Sequence, residues 1–80
     1  MVTAIASKIR MFEVTGSKAI KAVGYSTLEE ILMITFTKSG TYALLDVPKE
    51  EFLSWIESDS MGTYYNEKIQ GKYSTDKVSD

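Results

Sequence analysis

Residues 31–47 read ILMITFTKSGTYALLDV, and this segment sets the class of fold. Its first part alternates, so that Leu32, Ile34 and Phe36 share one face of a predicted β-strand. The polar turn at 38–40 ends in a glycine, which can adopt the positive φ that tight hairpin turns require. The remaining residues return as an apolar strand. The segment therefore predicts an antiparallel β-hairpin.

Two more strands are predicted before the hairpin. Residues 5–14 have a mixed apolar pattern that indicates an edge strand, with Ile5, Ile9 and Met11 on one face. Residues 19–25 follow a turn and form the next strand. This strand divides its apolar residues between two faces, with Ile20 and Ala22 on one and Val23 and Tyr25 on the other.

After the hairpin the apolar period changes to that of a helix. Pro48 fits a first helical turn, and the two glutamates that follow it favour the positive end of the helix dipole. A stripe of apolar side chains should then cover the sheet. Its members are Phe52, Leu53, Trp55 and Ile56. Ser60 can cap a second, shorter helix that runs toward Ile69, with Gly71 as its stop.

The elements combine into one α+β unit. We predict an antiparallel β-meander of three to four strands, followed by one long and one short α-helix packed on one sheet face. Residues 1–13 form an N-terminal extension or edge strand, residues 14–73 form the domain, and residues 74–80 form a polar tail that we expect to be mobile.

Composition narrows the function. The chain has 80 residues, no cysteine and no histidine, which removes the usual general base, thiolate ligands and the commonest zinc ligand. We therefore expect no enzyme activity, no metal and no cofactor. The formal charge of −2 disfavours tight binding along a long polyanion. Without a signal-like or membrane-spanning segment, the chain is predicted to be cytoplasmic.

Residues 60–73, which we call the closing segment, read SMGTYYNEKIQGKY and carry the candidate binding residues. Tyrosine rings stack on bases, asparagine bonds polar edges, and lysine attracts phosphate. The predicted ligand-binding residues are Tyr64, Tyr65, Asn66, Lys68, Lys72 and, from the turn before the second strand, Lys18. Structural roles stay open for each of them, since the rings can pack in the core and the lysines can be solvated.

Ile31 and Met33 lie on the strand face opposite to the predicted helices. If helices cover only one side of the sheet, these residues are exposed unless another subunit covers them. They motivate two hypotheses. The chain forms a homodimer through this face, or the face binds a protein partner as an interaction or inhibitor module.

The motifs, taken in order, resemble the KTSC domain family. The resemblance covers residues 14–73. It rests on Ile20, Gly24-Tyr25, the hairpin, Val47-Pro48 and a closing Ser-x-Gly-x-aromatic-aromatic-Asn at 60–66. One position departs from the family pattern, because the usual Tyr-x-Tyr of the second hairpin strand is Tyr42-Ala43-Leu44 here. We therefore do not carry over to this chain any ligand contact that family members make at that position.

Members of this family occur at the end of some lysyl-tRNA synthetases and as small free-standing proteins in bacteria and phages, with RNA binding suggested. Together with the residues of the closing segment, the resemblance leads us to expect a non-enzymatic protein that binds a nucleotide-like ligand, either a short RNA or a small signalling nucleotide. In a phage, this would be an accessory or anti-defence protein that sequesters its ligand. The acidic charge of the chain favours a short ligand.

Overall fold

The computed structural model of the chain describes residues 9–79, so the predicted strand residue Ile5 lies outside the described part. The described elements are five strands and two helices. Their bounds are β1 Phe12–Glu13, β2 Ile20–Ser26, β3 Ile31–Phe36, β4 Gly40–Leu44, α1 Lys49–Ile56, α2 Met61–Tyr64 and β5 Thr75–Ser79. A π-helical turn, Tyr65–Ile69, continues α2 without a break.

The strands form one antiparallel sheet in the order β1-β2-β3-β4-β5. The predicted antiparallel meander is confirmed, but it has five strands where three to four were predicted. The hairpin of β3 and β4 pairs Ile34 with Tyr42 and Phe36 with Gly40. Gly40 has φ of 97°, in the left-handed region that favours glycine. The turn between these strands therefore has the conformation that the sequence predicts.

The main core lies between the sheet and the helices. Leu32 and Ile34 are fully buried there, as the alternation predicts. Trp55 is fully buried on α1, and its Nε1 donates to the carbonyl of Met61 at 2.9 Å. This bond satisfies the indole inside the core and ties α1 to α2. The buried set is Ile20, Val23, Leu32, Ile34, Leu44, Val47, Trp55 and Ile69.

Ile20 lies on a different face from the one predicted. Alternation placed Ile20 with Ala22 and opposite Val23, but Ile20 and Val23 are buried in the same core. The pairing of β2 with β3 shifts register between Ile20 and Ala22. This β-bulge adds one residue and reverses the phase of the alternation, so Ile20 turns toward the helices.

The predicted stripe of α1 is only partly buried. Trp55 lies in the core, and Phe52 stacks on Tyr25 with ring centroids 4.8 Å apart. Leu53 and Ile56, in contrast, are 40% and 41% exposed. The helix has eight residues, of which Trp55 is the buried one, and the outer residues of the stripe reach solvent.

The opposite sheet face is covered by the chain itself, which corrects the prediction for Ile31 and Met33. Each of them is only 4% exposed. They form a second small core with Ala43, against which Ile9, Met11, Leu45 and Val78 pack. Covering segments from both ends of the described chain thus replace the partner subunit that the sequence suggested. The homodimer stays a prediction, but the exposed face that motivated it is buried within the chain.

Residues 75–79 form β5, where we predicted a polar, mobile tail. Thr75 pairs with Leu44, Asp76 pairs with Ala43, and the backbone N–H of Leu45 donates to Ser74 at 2.9 Å. The strand adds a fifth member to the sheet at its edge. Because one side of an edge strand faces water, a single apolar residue, Val78, is enough to anchor it, and its alternation is hard to recognise.

Candidate functional site

The closing segment contacts α1 through the carboxylate of Glu51, which accepts three hydrogen bonds. The hydroxyl of Tyr64 donates at 2.7 Å, the hydroxyl of Tyr73 at 2.8 Å, and the ammonium of Lys72 at 2.8 Å. The Glu51 side chain is only 10% exposed. Burial alone would raise the pKa of this carboxyl, but the three donors outweigh it and lower the pKa below its ordinary value.

Tyr64, Lys68 and Lys72 therefore lie on the side of the closing segment that faces α1. The ammonium of Lys68 lies 5.6 Å from the centre of the Tyr64 ring, as a cation–π contact. The hydrogen bond to Glu51 raises the pKa of Tyr64 and that of Lys72. We call this cluster the Glu51 network. It gives these three predicted ligand-binding residues contacts within the fold.

Tyr65 lies on the opposite side of the segment, in a cluster of three aromatic rings. Its ring meets Phe36 edge to face with centroids 5.1 Å apart, and Phe36 meets Tyr42 in the same way at 5.8 Å. All three rings are half-buried. Burial raises the pKa of Tyr65 above its ordinary value, which favours the protonated hydroxyl, a group that can donate a hydrogen bond.

These rings line an open groove of about 370 Å³, which we call the aromatic groove. It lies at the end of the sheet that carries the β3–β4 turn. Polar groups complete the lining, among them the amides of Asn66 and Gln70. The full lining is Phe36, Ser39, Tyr42, Tyr65, Asn66, Gln70 and Thr75. The groove combines flat apolar surfaces with amide and hydroxyl groups, as a site for a planar polar ring requires.

The π-helical turn and the residue that follows it supply the two amides of the aromatic groove, Asn66 and Gln70. The backbone N–H of Gln70 donates to the carbonyl of Tyr65 at 2.7 Å, which is the wide i→i+5 spacing of a π-helix. The wider turn carries Tyr65, Asn66 and Gln70 to the same groove. Sequence reasoning found Tyr65 and Asn66 but missed Gln70, because an ordinary helical period gives no sign of a π-turn.

Phe36 and Tyr42 were also missed as groove residues. Their positions were within reach of sequence reasoning, because Phe36 was placed on the helix-facing side of its strand. Tyr42 pairs with Ile34, which is two positions before Phe36 on β3, so Tyr42 and Phe36 lie on the same face of the sheet. What the sequence did not show was that Tyr65 would pack on Phe36 from the helical layer.

Lys18 lies outside the aromatic groove and lines a separate polar cavity of about 500 Å³. Gly16, with φ of 83°, forms the preceding turn, and Ser17 accepts from the backbone N–H of Ile20 at 3.2 Å. Asn66 lines both this cavity and the aromatic groove. Of the six predicted ligand-binding residues, the structure thus brings Tyr65, Asn66 and Lys18 to two adjoining sites and places the others in the Glu51 network.

The fold defines a class of small α+β domains in which a five-stranded antiparallel meander is closed by two helices. The profile described as "KTSC domain" matches residues 16–73, which is most of the chain. The chain belongs to the KTSC domain family, as its motifs predicted.

A solved structure and two sequences show how similar the relatives are. The crystal structure of a KTSC domain protein from Yersinia pestis has a TM-score of 0.85 and 28% identity, and the match covers 89% of this chain and 99% of that one. A protein of Tsukamurella paurometabola is 35% identical over 57 residues, 71% of this chain and 85% of its own length. An uncharacterized protein of Stutzerimonas stutzeri is 29% identical over 57 residues, 71% of this chain and 80% of its own length.

Within the described residues, neither helix is long and apolar enough to cross a membrane.

Proposed function

We propose that this protein is a non-enzymatic binding protein for a nucleotide-like ligand, and that the ligand binds in the aromatic groove. The observation that carries the proposal is the joint presence of Phe36, Tyr42 and Tyr65 beside the amides of Asn66 and Gln70. A base can stack on the exposed part of a half-buried ring, while amides bond the polar edge of the base. A nucleotide base can therefore use both the aromatic rings and the amides of the groove.

The Glu51 network narrows the set of residues that meet the ligand. Tyr64 and Lys72 already bond Glu51, so recruiting them would break charge-assisted hydrogen bonds in a mostly buried group. Tyr65 and Asn66 line the groove without such a cost. The proposal therefore assigns stacking to Tyr65 and contact with the base edge to Asn66, and Lys18 adds a cation beyond Asn66.

The groove suits a short ligand, because it is open and about 370 Å³ in volume. Short RNA and a small signalling nucleotide both present a base and a phosphate. A phage-type accessory or anti-defence protein that sequesters such a ligand, located in the cytoplasm, stays the predicted context. The alternative of a protein-interaction module loses its main support, since Ile31 and Met33 are buried within the chain.

The first experiment is thermal unfolding with a panel of short RNAs, mononucleotides and cyclic dinucleotides. A ligand that binds only the folded state raises the unfolding midpoint by mass action. At a free ligand concentration of a hundred times its Kd, it adds about 2.7 kcal/mol to the free energy of unfolding. We expect a shift with at least one class of nucleotide. No shift with any class at millimolar concentration would refute nucleotide binding and favour a protein partner.

Tyr65→Ala then tests the site, with Tyr64→Ala as the matched control. Loss of the stacking ring should weaken binding by about 1–3 kcal/mol, roughly 5- to 150-fold in Kd. Tyr64→Ala removes the neighbouring ring and one of the three hydrogen bonds to Glu51, on the other side of the segment. It should lower stability and weaken binding much less than Tyr65→Ala. Titrations by calorimetry below both unfolding midpoints separate the two effects. Equal loss of affinity in both variants, or none in Tyr65→Ala, would refute the assignment.

A further inference from the structure

Lysines are concentrated around the β3–β4 turn. The chain has nine basic residues, and four of them line two grooves at this turn. They come from separate parts of the sequence, the start of β2, the turn itself and β5. The four are Lys18, Lys21, Lys38 and Lys77. The fold, and no local run of charge, brings them together.

The two grooves flank the turn and adjoin the aromatic groove. One, of about 350 Å³, is lined by Lys21, Lys38 and Lys77, and the other, of about 420 Å³, by Lys18 and Lys38. Phe36 and Ser39 line both of them and the aromatic groove as well. Hydroxyls of threonine and serine complete the walls, and none of the described residues that line either groove is acidic.

The ammonium of Lys77 lies 5.9 Å from the centre of the Tyr42 ring. Tyr42 is itself one wall of the aromatic groove. A cation is thus held at the border between the site for a base and the lysine-lined grooves. A phosphate attached to a stacked nucleotide would meet this border first.

The opposite end of the sheet is acidic. Glu29 and Glu30 occupy the β2–β3 turn, and the backbone N–H of Val47 donates to the carbonyl of Glu30 at 2.9 Å, which brings the start of α1 to the same end. Burial first, and then the negative charges of Glu30 and Glu50, raise the pKa of Tyr25 there. The net charge of −2 therefore conceals an uneven distribution, with four lysines lining the grooves at the β3–β4 turn and glutamates at the other end of the sheet. Clustered lysines of this kind attract an anion to the β3–β4 turn.

We propose that the lysines at the β3–β4 turn bind consecutive phosphates, and that the ligand is a single-stranded oligonucleotide. This inference rests on the proposed function, since the base is taken to stack on Tyr65. A nucleoside monophosphate seated there reaches one groove beside the turn. The lysines line grooves on both sides of the turn, so a strand with several phosphates contacts more lysines than a monophosphate does.

The test measures binding of fluorescein-labelled hexauridylate and hexathymidylate between 50 and 200 mM salt, with unlabelled UMP as competitor. The affinity for a single strand changes with a log–log slope of about −0.7 for each neutralised phosphate. Two to three phosphates then give about a 7- to 18-fold loss over this range. The two labelled probes distinguish RNA from DNA as the source of the strand.

Variants that remove a charge test whether the lysines at the β3–β4 turn cause the salt dependence of binding. Lys38→Gln and Lys21→Gln should each weaken hexanucleotide binding and make the slope shallower by about 0.7. UMP, which has a single phosphate, should lose less affinity than the hexanucleotides in either variant. Lys49→Gln, which removes the same charge at the start of α1 on the acidic end, is the matched control and should keep the wild-type slope. Thermal unfolding of each variant checks that the protein folds.

The outcomes separate this inference from the proposed function. If UMP binds as tightly as the hexanucleotides, or if Lys38→Gln keeps the wild-type slope, the oligonucleotide inference is wrong. The aromatic groove would still be supported as the binding site if Tyr65→Ala weakens UMP binding. If neither hexanucleotide nor UMP binds, the oligonucleotide inference is wrong, and the proposed function is wrong as well when the wider panel of nucleotides gives no shift in the unfolding midpoint.

Discussion

Replacing Glu51 with glutamine should weaken the hydrogen bonds that connect α1 to the closing segment. The side chain is 10% exposed and accepts hydrogen bonds from Tyr64, Tyr73 and Lys72. Glutamine keeps the size but loses the charge, and it presents an NH₂ group where one carboxylate oxygen accepted. We expect one charge-assisted bond to be lost and the others to weaken.

The magnitude follows from the two tyrosine bonds. Lys72 is 58% exposed, so solvent screens its ion pair, and we assign it no part of the estimate. A hydrogen bond to a charged group contributes about 1.5–3 kcal/mol. With one such bond lost, Glu51→Gln should reduce the free energy of unfolding by about 2 kcal/mol. For a domain of this size that lowers Tm by roughly 8–16 °C.

Glu50→Gln is the matched control for thermal unfolding by circular dichroism. Glu50 is the exposed neighbour in the same first turn of α1, so both variants lose the same interaction with the helix dipole, about 0.3–1 kcal/mol. The difference between the variants therefore isolates the Glu51 network. Equal Tm values for Glu51→Gln and Glu50→Gln would refute the reasoning.

The dependence on pH gives a second readout of the same prediction. The folded-state pKa of Glu51 lies below its ordinary value of 4.5, so its charged form stabilises the fold above that pH. The contribution is lost as pH falls through the folded-state pKa. The difference in stability between wild type and Glu51→Gln should be constant from pH 7 to about 5 and shrink below that. A gap that persists at pH 2 would show that packing, and not charge, holds the segment.

Two more pairs of variants test the cores by chemical denaturation. In Gly24→Ala the new Cβ would lie 2.4 Å from the carbonyl oxygen of Arg10, so the covering segment must move and stability should fall by about 1–3 kcal/mol. Gly62→Ala, whose Cβ would meet nothing closer than 4.0 Å, should be neutral or stabilising, and the reverse order would contradict the packing of the second core. Ile34→Val, at a fully buried position, should cost about 0.5–1.5 kcal/mol, whereas Ile56→Val, at a position that is 41% exposed, should cost much less. Equal costs would mean that the alternation of β3 does not define the core.

The parts of the fold that could be predicted are those with local causes. The alternation of β3 fixes which side chains face the helices, and Gly40 fixes the hairpin turn. The start of α1 follows from Pro48. Ser60 accepts from the backbone N–H of Thr63 at 3.3 Å and so begins α2 where the sequence predicts. Each of these signals depends on residues within a few positions of one another.

The parts that could not be predicted depend on distant contacts. The bulge that turns Ile20 into the core is a property of the pairing with β3. β5 is a strand because it pairs with β4, and its own sequence, TDKVS, has one large apolar residue. The cover over Met33 likewise comes from both ends of the described chain. No local pattern encodes such pairings, so the second face was wrongly predicted to be exposed.

The candidate site also combines residues that the sequence identifies with contacts that only the fold determines. Tyr64 and Tyr65 are adjacent and chemically equal, yet one bonds Glu51 and the other packs on Phe36. Because the Glu51 network holds one side of the closing segment, the opposite side with Tyr65 is placed before any ligand arrives. A ligand that meets rings already in position loses less affinity to ordering the protein. Glu51→Gln should therefore weaken binding at the aromatic groove even in the folded variant, although Glu51 itself does not line the groove.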